Sequence, residues 1–182
     1  MLDILLVSAT HLEHNDSEIE GVPIYQIGVG KIRSAVNTLQ LIKAKKPDIV
    51  INFGSCGNLS NLKPGDVHEI KMVYNDFYAG KLFSYQPIKL NTRNKDSNIT
   101  CFSTDTFFEL GEDYHHSYTF RRSRCDVAEM ELYSVALVCQ QENIPVYGYK
   151  WVSDDGEGKW EENAAIGYNN FKKVFKENFL DG

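Results

Sequence analysis

Four short apolar runs, each followed by a small or polar residue, limit the folds open to this chain more than any other feature. The runs cover residues 4–7, 22–27, 48–53 and 144–152. The first run is continuously apolar and the others mostly so, and runs of this kind are typical of strands that are buried within a sheet. The chain is therefore predicted to build its core around a central sheet.

Amphipathic segments separate and follow these runs. Apolar residues recur at intervals of three and four over Lys31–Lys45, Glu131–Gln141 and Trp160–Phe179, which predicts a helix in each segment. Helices that alternate with strands predict an α/β fold, in which ligands bind at the carboxyl ends of the strands. The residues that directly follow strands are therefore the first candidates for a functional site.

Weaker patterns complete the outline of the chain. Further strands are predicted at residues 66–74, 99–103 and 125–128, and a short helix at 106–111. Residues 75–98 are polar and poorly periodic, which favours long loops or a hairpin.

The length and composition are those of a single domain that covers residues 1–182. With 182 residues, 42% of them hydrophobic, the chain is long enough to bury a core without disulfides or a structural metal. Its formal net charge of −6 disfavours nucleic acid as a partner, because a phosphate backbone would be repelled. The four cysteines lack C-x-x-C spacing, and no apolar stretch reaches the roughly 20 residues of a membrane helix. We therefore expect a cytoplasmic protein with no membrane partner.

Two glycines, Gly28 and Gly30, lie between the second apolar run and the first predicted helix. Glycines at a helix N-terminus bind phosphate groups in dinucleotide sites. The third glycine and the acidic ribose-binding residue of those sites are missing here, which disfavours NAD. Lys31 and Arg33 are either anion contacts or solvated helix charges.

Carboxylates follow three of the predicted strands. Glu13 lies shortly after the first strand, as either a loop charge or a site group. Glu129 and Glu131 flank Met130 where a strand gives way to a helix, so they either bind a ligand or cap the helix. Asp154 follows the last apolar run and is placed either for acid–base chemistry or for an Asx turn.

The histidines do not predict a metal site. His11 and His14 flank Glu13, but no second pair of ligands lies at a metal-binding spacing. His115 and His116 fall in a loop-like region. We therefore expect no metal.

Four motifs occur in a defined order along the chain. They are Gly28-Val-Gly-Lys31, Asn52-Phe-Gly-Ser-Cys-Gly57 followed by Pro64-Gly-Asp66, Glu129-Met-Glu131, and Ser153-Asp154. In this order they resemble the purine nucleoside phosphorylase/nucleosidase superfamily, and most of all its 5′-methylthioadenosine/S-adenosylhomocysteine nucleosidases. The resemblance implies a three-layer α/β/α fold with a central mixed, largely parallel sheet. It also implies no cofactor, a small purine nucleoside as the ligand, and a homodimer or higher homo-oligomer.

The resemblance further implies a role for each acidic residue. Asp154 is expected to be the general acid that protonates N7 of the purine as the glycosidic bond breaks, with Ser153 steadying it. Glu131 is expected to bind the ribose hydroxyls, with Glu129 beside the ribose. Glu13 is expected to orient and activate the attacking water. These roles fit the chemistry, because positive charge develops on the sugar and negative charge on the departing base.

Other positions are expected, by the same resemblance, to shape the pocket. Met130 packs against the sugar. Phe107 stacks on the base, and the backbone of Phe108 contacts the edge of the base. Ser55 and Gly57 line the floor.

The residues before Gly54 bear on the type of reaction. Phosphorylases of this superfamily hold phosphate with arginines, one of them just before this stretch, where the chain has Ile51-Asn52-Phe53. Hydrolysis is therefore expected. The alternatives are a phosphate-dependent phosphorylase, a futalosine hydrolase, and a nucleoside-binding protein without catalysis, the last because Leu132-Tyr133 replaces the small residues usual after Glu131.

Overall fold

The structure is a computed structural model that describes residues 2–76, 86–105, 125–154 and 159–181, with only the backbone of Asp154. The strands in these residues are β1 (Ile4–Ser8), β2 (Glu18–Ile19), β3 (Val22–Gln26), β4 (Ile49–Asn58), β5 (Val67–Asn75), β6 (Ile88–Lys89), β7 (Ile99–Ser103), β8 (Val127–Glu129) and β9 (Val146–Asp154). The helices are a 3-10 turn (His11–Glu13), α1 (Lys31–Lys45), α2 (Leu132–Glu142) and α3 (Trp160–Phe179).

β1 lies inside the sheet, as its apolar run predicts. It pairs in parallel with β3 on one side and with β4 on the other. β4 also pairs in parallel with β9, from Val50 opposite Val146 to Gly57 opposite Asp154. Parallel strands end at the same edge of a sheet, so the residues that follow β1, β4 and β9 lie near one another.

Five strands of the sheet close into a ring, which the sequence analysis does not predict. The ring runs from β4 through β8, β7, β5 and β9 back to β4. β8 joins β4 in antiparallel pairing at Gly57 and Asn58, and β5 joins β9 in the same sense. The register of β4 on β9 shifts between Cys56 and Gly57, and irregularities of this kind bend a strand. The predicted mixed sheet with helices is confirmed, and the ring is a further feature of it.

Helices pack against two faces of the sheet. Alternation along β1 directs Leu5 and Val7 into the cluster that includes α1 and α2. Leu6 lies in a second cluster, which includes α3. In that cluster Phe171 of α3 stacks on Phe53 of β4, with ring centroids 4.5 Å apart and planes 11° apart.

Close approach of α3 to the sheet depends on Gly167. A Cβ atom at this position would overlap with the indole ring of Trp151. Glycine is unfavourable within a helix by about 1 kcal/mol relative to alanine. Its presence here is explained by the contact with β9 rather than by helix propensity.

Most predicted elements match the observed ones to within two residues at their ends. The strand predicted for 48–53 is an exception, because it is observed at Ile49–Asn58 and residues 54–57 belong to the strand itself. The strand predicted for 144–152 is observed at Val146–Asp154, so Ser153 and Asp154 belong to the strand itself. In the stretch 75–98, β6 pairs antiparallel with β5, in agreement with the hairpin alternative. Residues 77–85 and the helix predicted at 106–111 lie outside the described residues. None of the described helices is long and apolar enough to cross a bilayer.

Candidate active site

A cavity of about 340 Å³ opens where β1, β4, β7, β8 and β9 end. The described residues that line it are Ala9, Thr10, Leu12, Glu13, Val29, Ser55, Cys56, Gly57, Thr104, Ala128, Glu129, Met130, Glu131, Ser153 and Trp160. Seven of them are predicted site residues: Glu13, Ser55, Gly57, Glu129, Met130, Glu131 and Ser153. The carboxyl ends of the strands therefore bring together residues that are far apart in the sequence.

Glu13 enters the cavity from the 3-10 turn that follows β1. Its Oε1 accepts hydrogen bonds from the N–H of Ser55 at 2.8 Å and from the hydroxyl of Ser55 at 3.1 Å. Its Oε2 accepts one from the N–H of Ala9 at 3.2 Å. The carboxylate also lies against Gly54, where a Cβ atom would collide with it. Two strand ends therefore fix the orientation of this buried carboxylate.

Glu129, the last residue of β8, has a carboxylate that is bound on both oxygens. Oε1 accepts a hydrogen bond from the hydroxyl of Ser103. Oε2 accepts bonds from the N–H groups of Glu131 at 2.9 Å and Leu132 at 2.8 Å, and it pairs with Nζ of Lys150 at 3.1 Å. Glu129 therefore satisfies free N–H groups at the start of α2, which is the capping alternative considered for this motif.

Glu131 lies on the other side of Met130 and contacts α1. Its Oε1 accepts a hydrogen bond from the N–H of Gly30 at 2.9 Å, and its residue is only 5% exposed. Burial, together with the negative charge of Glu129, raises the pKa of Glu131 to about 8. At a given pH this carboxyl is therefore protonated to a greater extent than that of an exposed glutamate.

Lys150 is a buried cation beneath the cavity that the sequence analysis missed. It lies in β9 and is 1% exposed. Burial by itself would lower the pKa of Lys150, but the carboxylates of Glu129, Glu131 and Glu13 outweigh this effect and raise the pKa. The signal in the sequence is a single charge within the apolar run 144–152, because a lysine there needs a buried partner.

Asp154 is described only through its backbone. It is the last residue of β9 and lies opposite Gly57, which lines the cavity. Its neighbour Ser153 lines the cavity and is 2% exposed, and the carbonyl of Ser153 accepts a hydrogen bond from the side chain of Asn163 at 3.2 Å. Phe107 and Phe108 lie outside the described residues.

The glycine turn before α1 is occupied by side chains of the protein itself. The N–H of Gly30 binds Glu131, and the N–H of Lys31 donates to Oδ1 of Asp105 at 3.0 Å. Nζ of Lys31 forms ion pairs with Asp76 and Asp105. Lys31 is therefore neither a solvated helix charge nor an available anion contact, whereas Arg33 is exposed. These carboxylates fill the positions that a phosphate would take in a dinucleotide site.

The histidine cluster has a structural explanation. His14 is 6% exposed and bonds through its ring nitrogens with the hydroxyl of Ser8 and the carbonyl of Asp16, each at 2.8 Å. Its ring also lies 5.6 Å from that of Phe53. Within the described ranges, no group of three or more His, Cys, Asp or Glu residues is arranged to hold a metal ion. His115 and His116 lie outside them.

Some apolar residues that the sequence did not predict for the site also line the cavity. They include Leu12, Val29 and Trp160. Leu12 and Val29 are 63% and 48% exposed, so they also border solvent. Cys56 also lines the cavity, and burial raises the pKa of its thiol, which disfavours the reactive thiolate.

Comparison with known proteins gives a consistent result. Residues 18–96 match the family model of the phosphorylase superfamily. A 5′-methylthioadenosine/S-adenosylhomocysteine nucleosidase of Haemophilus influenzae (strain PittEE) is 26% identical over 82% of this chain and 73% of its own length. A nucleosidase of the same name from Buchnera aphidicola subsp. Acyrthosiphon pisum (strain APS) is 28% identical over 85% of this chain and 79% of its own length.

Solved structures show the same fold. The 5′-methylthioadenosine/S-adenosylhomocysteine nucleosidase from Neisseria meningitidis, in complex with methylthio-immucillin-A, has a TM-score of 0.76 at 19% identity, over 97% of this chain and 100% of that one. Futalosine hydrolase of Helicobacter pylori strain 26695 also has a TM-score of 0.76, at 17% identity over 96% of this chain and 97% of that one. Together these comparisons confirm that the chain resembles the purine nucleoside phosphorylase/nucleosidase superfamily and, within it, the 5′-methylthioadenosine/S-adenosylhomocysteine nucleosidases.

Proposed function

We propose that this chain is a nucleosidase that hydrolyses the N-glycosidic bond of a purine nucleoside, of the 5′-methylthioadenosine/S-adenosylhomocysteine type, to free base and sugar. One observation carries the proposal: Glu13 and Glu131, from distant parts of the chain, line one cavity at whose edge β9 ends in Asp154. The relatives that bear the nucleosidase name support it.

The charges around the cavity suit cleavage of a glycosidic bond. As that bond breaks, the sugar becomes positively charged, so carboxylates beside it lower the barrier. Glu13 supplies a carboxylate at the cavity, and Glu131 supplies a carboxyl group whose raised pKa favours the protonated form. The carboxylate of Glu129 is already paired with the buried Lys150. This leaves Glu13 and Glu131 as the groups that we assign to the reacting nucleoside.

We assign the sugar to Glu131 and Met130. The N–H of Gly30 binds Oε1 of Glu131, and the other oxygen, Oε2, is the one that we assign to the ribose hydroxyls. A protonated carboxyl group can both donate a hydrogen bond to a hydroxyl and accept one. Met130 lines the same wall and provides an apolar contact for the sugar.

We assign the attacking water to Glu13 and the departing base to Asp154. The three N–H and O–H donors on Glu13 orient its carboxylate, as a group that positions a water molecule requires. Asp154 would protonate N7 of the purine, with Ser153 steadying it. Phe107 and Phe108 would hold the base, and Ser55 and Gly57 would form the floor beneath the nucleoside.

Glu129 has a supporting part in this proposal. Its two oxygens already bind Ser103, Lys150 and the start of α2. We therefore propose that Glu129 holds the turn that carries Met130 and Glu131 beside the ribose, rather than binding the ribose itself.

Hydrolysis is favoured over phosphorolysis by the cations near the cavity. The described lining residues include no arginine or lysine. Lys150 is paired with Glu129, and Lys31 is paired with Asp76 and Asp105. Phosphorylases of this superfamily hold phosphate with arginines, and the described lining offers none, so water is the proposed nucleophile.

The decisive experiment is a substrate panel with and without phosphate. The purified protein is incubated with methylthioadenosine, adenosylhomocysteine, adenosine, inosine and futalosine, and the free base is followed by chromatography. Release of base in phosphate-free buffer supports a nucleosidase, release only with phosphate supports a phosphorylase, and a preference for futalosine selects that alternative. Binding of adenine without turnover of any substrate would overturn the proposed catalysis and favour a non-catalytic nucleoside-binding protein.

Site variants connect the activity to the cavity. Glu13→Gln and Asp154→Asn each keep the size of the side chain but remove a proton-transferring group, so turnover should fall by about two to four orders of magnitude. The controls are Glu142→Gln, at an exposed end of α2, and Asp181→Asn, near the C-terminus. Full activity of Glu13→Gln would contradict the role proposed for Glu13, and full activity of Asp154→Asn would contradict the role proposed for Asp154.

We also propose a cytoplasmic homodimer with one three-layer domain over residues 1–182. The apolar residues Leu12, Val29, Ile32 and Val36 are 63%, 48%, 80% and 50% exposed, and exposed apolar groups of this kind favour association. The helices on two faces of the sheet support the layered description. Light scattering of the purified protein, with Ile32→Lys as the variant, tests the dimer, because a charge at an interface would favour the monomer.

A further inference from the structure

His14, the residue after the 3-10 turn, is held through both nitrogens of its ring. Nδ1 lies 2.8 Å from the carbonyl oxygen of Asp16, and Nε2 lies 2.8 Å from the hydroxyl oxygen of Ser8. A carbonyl oxygen only accepts, so Nδ1 carries a hydrogen, and in the neutral ring Nε2 accepts the hydroxyl hydrogen of Ser8. The imidazole therefore ties the end of β1 to the chain beyond the turn.

The ring of His14 also packs against two aromatic residues. Its centroid lies 5.6 Å from that of Phe53 in β4 and 5.6 Å from that of Tyr168 in α3. The hydroxyl of Tyr168 donates to Oδ2 of Asp16 at 2.9 Å, so α3 binds the same segment of chain a second time. His14 is 6% exposed and Ser8 is fully buried, so water does not readily replace the bond between them.

Neighbouring residues at the end of β1 bind neighbouring residues of the turn. The hydroxyl of Ser8 binds the ring of His14. The next residue, Ala9, donates its N–H to Oε2 of Glu13 at 3.2 Å. Glu13 and His14 are therefore fastened side by side to one strand end.

The same two residues of the turn also meet consecutive residues of β4. The ring of His14 packs against Phe53, and the carboxylate of Glu13 lies against Gly54. Oε1 of Glu13 accepts the N–H and the hydroxyl of Ser55. Because consecutive Cα atoms are only about 3.8 Å apart, a shift of His14 along β4 would carry Glu13 away from Ser55.

We propose that His14 is a positioning residue, which holds the turn so that the carboxylate of Glu13 keeps its place against Ser55 and Ala9. His14 is absent from the described lining of the nucleoside cavity, so it acts through Glu13 and not by touching the nucleoside. The kinetic consequence rests on the proposed function, in which Glu13 orients the attacking water. The effect on the geometry of Glu13 does not.

Hydrogen exchange of the ligand-free protein tests the positioning without any activity. His14→Phe keeps an aromatic ring at this position but removes both of its hydrogen bonds. We expect the amide of Ser55 to exchange about tenfold faster or more, because the carboxylate that accepts its hydrogen is no longer held. The rate is taken relative to that of Val50, an amide of the same strand that donates to the carbonyl of Pro145.

Tyr149→Phe is the matched control for this substitution. Tyr149 is 1% exposed, and its hydroxyl donates to Oε1 of Glu69 at 2.6 Å, so the change also removes a hydrogen bond from a buried ring. The relative exchange of Ser55 should be unchanged in this control. Equal relative exchange in Tyr149→Phe and His14→Phe would overturn the positioning role, whether or not the protein is an enzyme.

Kinetics test the link between His14 and Glu13. His14→Phe should lower kcat for the cleaved nucleoside about tenfold or more, with KM changed by less than about twofold. When it is added to Glu13→Gln, His14→Phe should lower kcat by less than about twofold further, because the carboxylate that His14 positions is already lost. A purely structural role would lower kcat by the same factor with and without Glu13→Gln.

Ser8→Ala provides the test if His14→Phe does not fold. It removes the hydroxyl that binds Nε2 and leaves the ring with its bond to Asp16. We expect kcat to fall in the same direction by a smaller factor, about threefold, because one of the two bonds is kept. Unchanged kcat together with unchanged exchange of Ser55 would overturn the role of His14.

Two outcomes separate this inference from the proposed function. A fall in kcat of equal size with and without Glu13→Gln would overturn the positioning role while leaving the nucleosidase intact. Failure of the unsubstituted protein to release base from any nucleoside would contradict the proposed function, and the exchange comparison would then decide the positioning of Glu13 by itself.

Discussion

Ser55 donates two hydrogen bonds to the same carboxylate oxygen of Glu13, one from its N–H at 2.8 Å and one from its hydroxyl at 3.1 Å. Glu13 comes from the turn after β1, and Ser55 comes from β4, the parallel neighbour of β1. The pairing of these two strands therefore sets the position of the carboxylate. The floor of the cavity and the group proposed to orient water form one unit.

This unit makes Gly54 sensitive to substitution. In Gly54→Ala, the new Cβ atom would collide with the carboxylate of Glu13, and the φ of +155° would add backbone strain. We expect kcat to fall about 100-fold, because displacement of a positioned group by about 1 Å has effects of this size. Steady-state kinetics measures the change.

Gly21→Ala is the matched control for this substitution. Gly21 has a φ of +81°, and no heavy atom beyond its two chain neighbours lies within 4 Å of the position that a Cβ atom would take there, so alanine meets strain without a collision. Gly21→Ala should lower the free energy of unfolding by about 1–3 kcal/mol and leave kcat unchanged. If Gly54→Ala retained full kcat, the collision with Glu13 would have no catalytic consequence.

The buried pair of Lys150 and Glu129 is expected to dominate the stability of the site. Lys150→Met would leave the carboxylate of Glu129 buried without its cation, which costs about 3–5 kcal/mol in comparable cases. The side chains in this pair are both 2% exposed. Urea denaturation measures the loss of unfolding free energy.

An exposed ion pair provides the comparison. Lys172 pairs with Asp16 at 3.3 Å, with side chains 37% and 45% exposed. Lys172→Met should cost less than about 1 kcal/mol, because water already screens this pair. Adding Glu129→Gln to Lys150→Met should recover part of the lost stability. Equal losses in the two lysine variants would show that burial does not strengthen the Lys150 pair.

The raised pKa of Glu131 predicts a pH dependence of stability. Its pKa rises from 4.5 to about 8 on folding, first through burial and then through the charge of Glu129. A carboxyl with a raised pKa stabilises the fold at low pH, and this contribution is lost as the pH rises from the unfolded value through the folded one. The free energy of unfolding should therefore fall, relative to that of Glu131→Gln, between about pH 4.5 and pH 8.

Denaturation at several pH values across this window measures the effect. Glu142→Gln, an exposed position on α2, should follow the pH dependence of the unsubstituted protein. Parallel curves for Glu131→Gln and the unsubstituted protein would contradict a raised pKa.

Gly167 offers a prediction with an unusual sign. Alanine usually stabilises a helix interior by about 1 kcal/mol relative to glycine. At Gly167 the added Cβ atom overlaps with the ring of Trp151, so Gly167→Ala should instead lower the melting temperature. Asn169→Ala, two positions further along α3 and exposed, should raise it slightly. Calorimetry measures the melting temperature of both variants. A higher melting temperature in both would show that α3 can move away from the sheet.

The parts of the site that depend on strand ends were predictable from the sequence. Glu13 follows β1 and Ser153 lies near the end of β9, two strands with plain apolar runs, and their parallel pairing with β4 brings those ends together. Glu131 follows β8, whose sequence pattern is weaker. The confirmed resemblance adds roles to these positions. The motifs that carry the resemblance are short and local, so they can be identified in the sequence without the fold.

The partners of charged residues were not predictable in the same way. Lys31 meets Asp76 and Asp105, which lie 45 and 74 positions away along the chain. Lys150 forms an ion pair with Glu129 because β9 and β8 both belong to the ring of strands and share its interior. Periodicity reports which face of an element is buried, but it carries no information about which distant side chain lies opposite.

Closure of β4, β8, β7, β5 and β9 also affects how the protein behaves at high concentration. Each strand of the ring has a neighbour on both sides over at least part of its length, which leaves fewer backbone groups available to another molecule. Among the described strands, the ends of the pairing order are β2 and β6, and each is only two residues long. Such short edges offer little template for edge-to-edge pairing, and this arrangement protects the long apolar strands from aggregation.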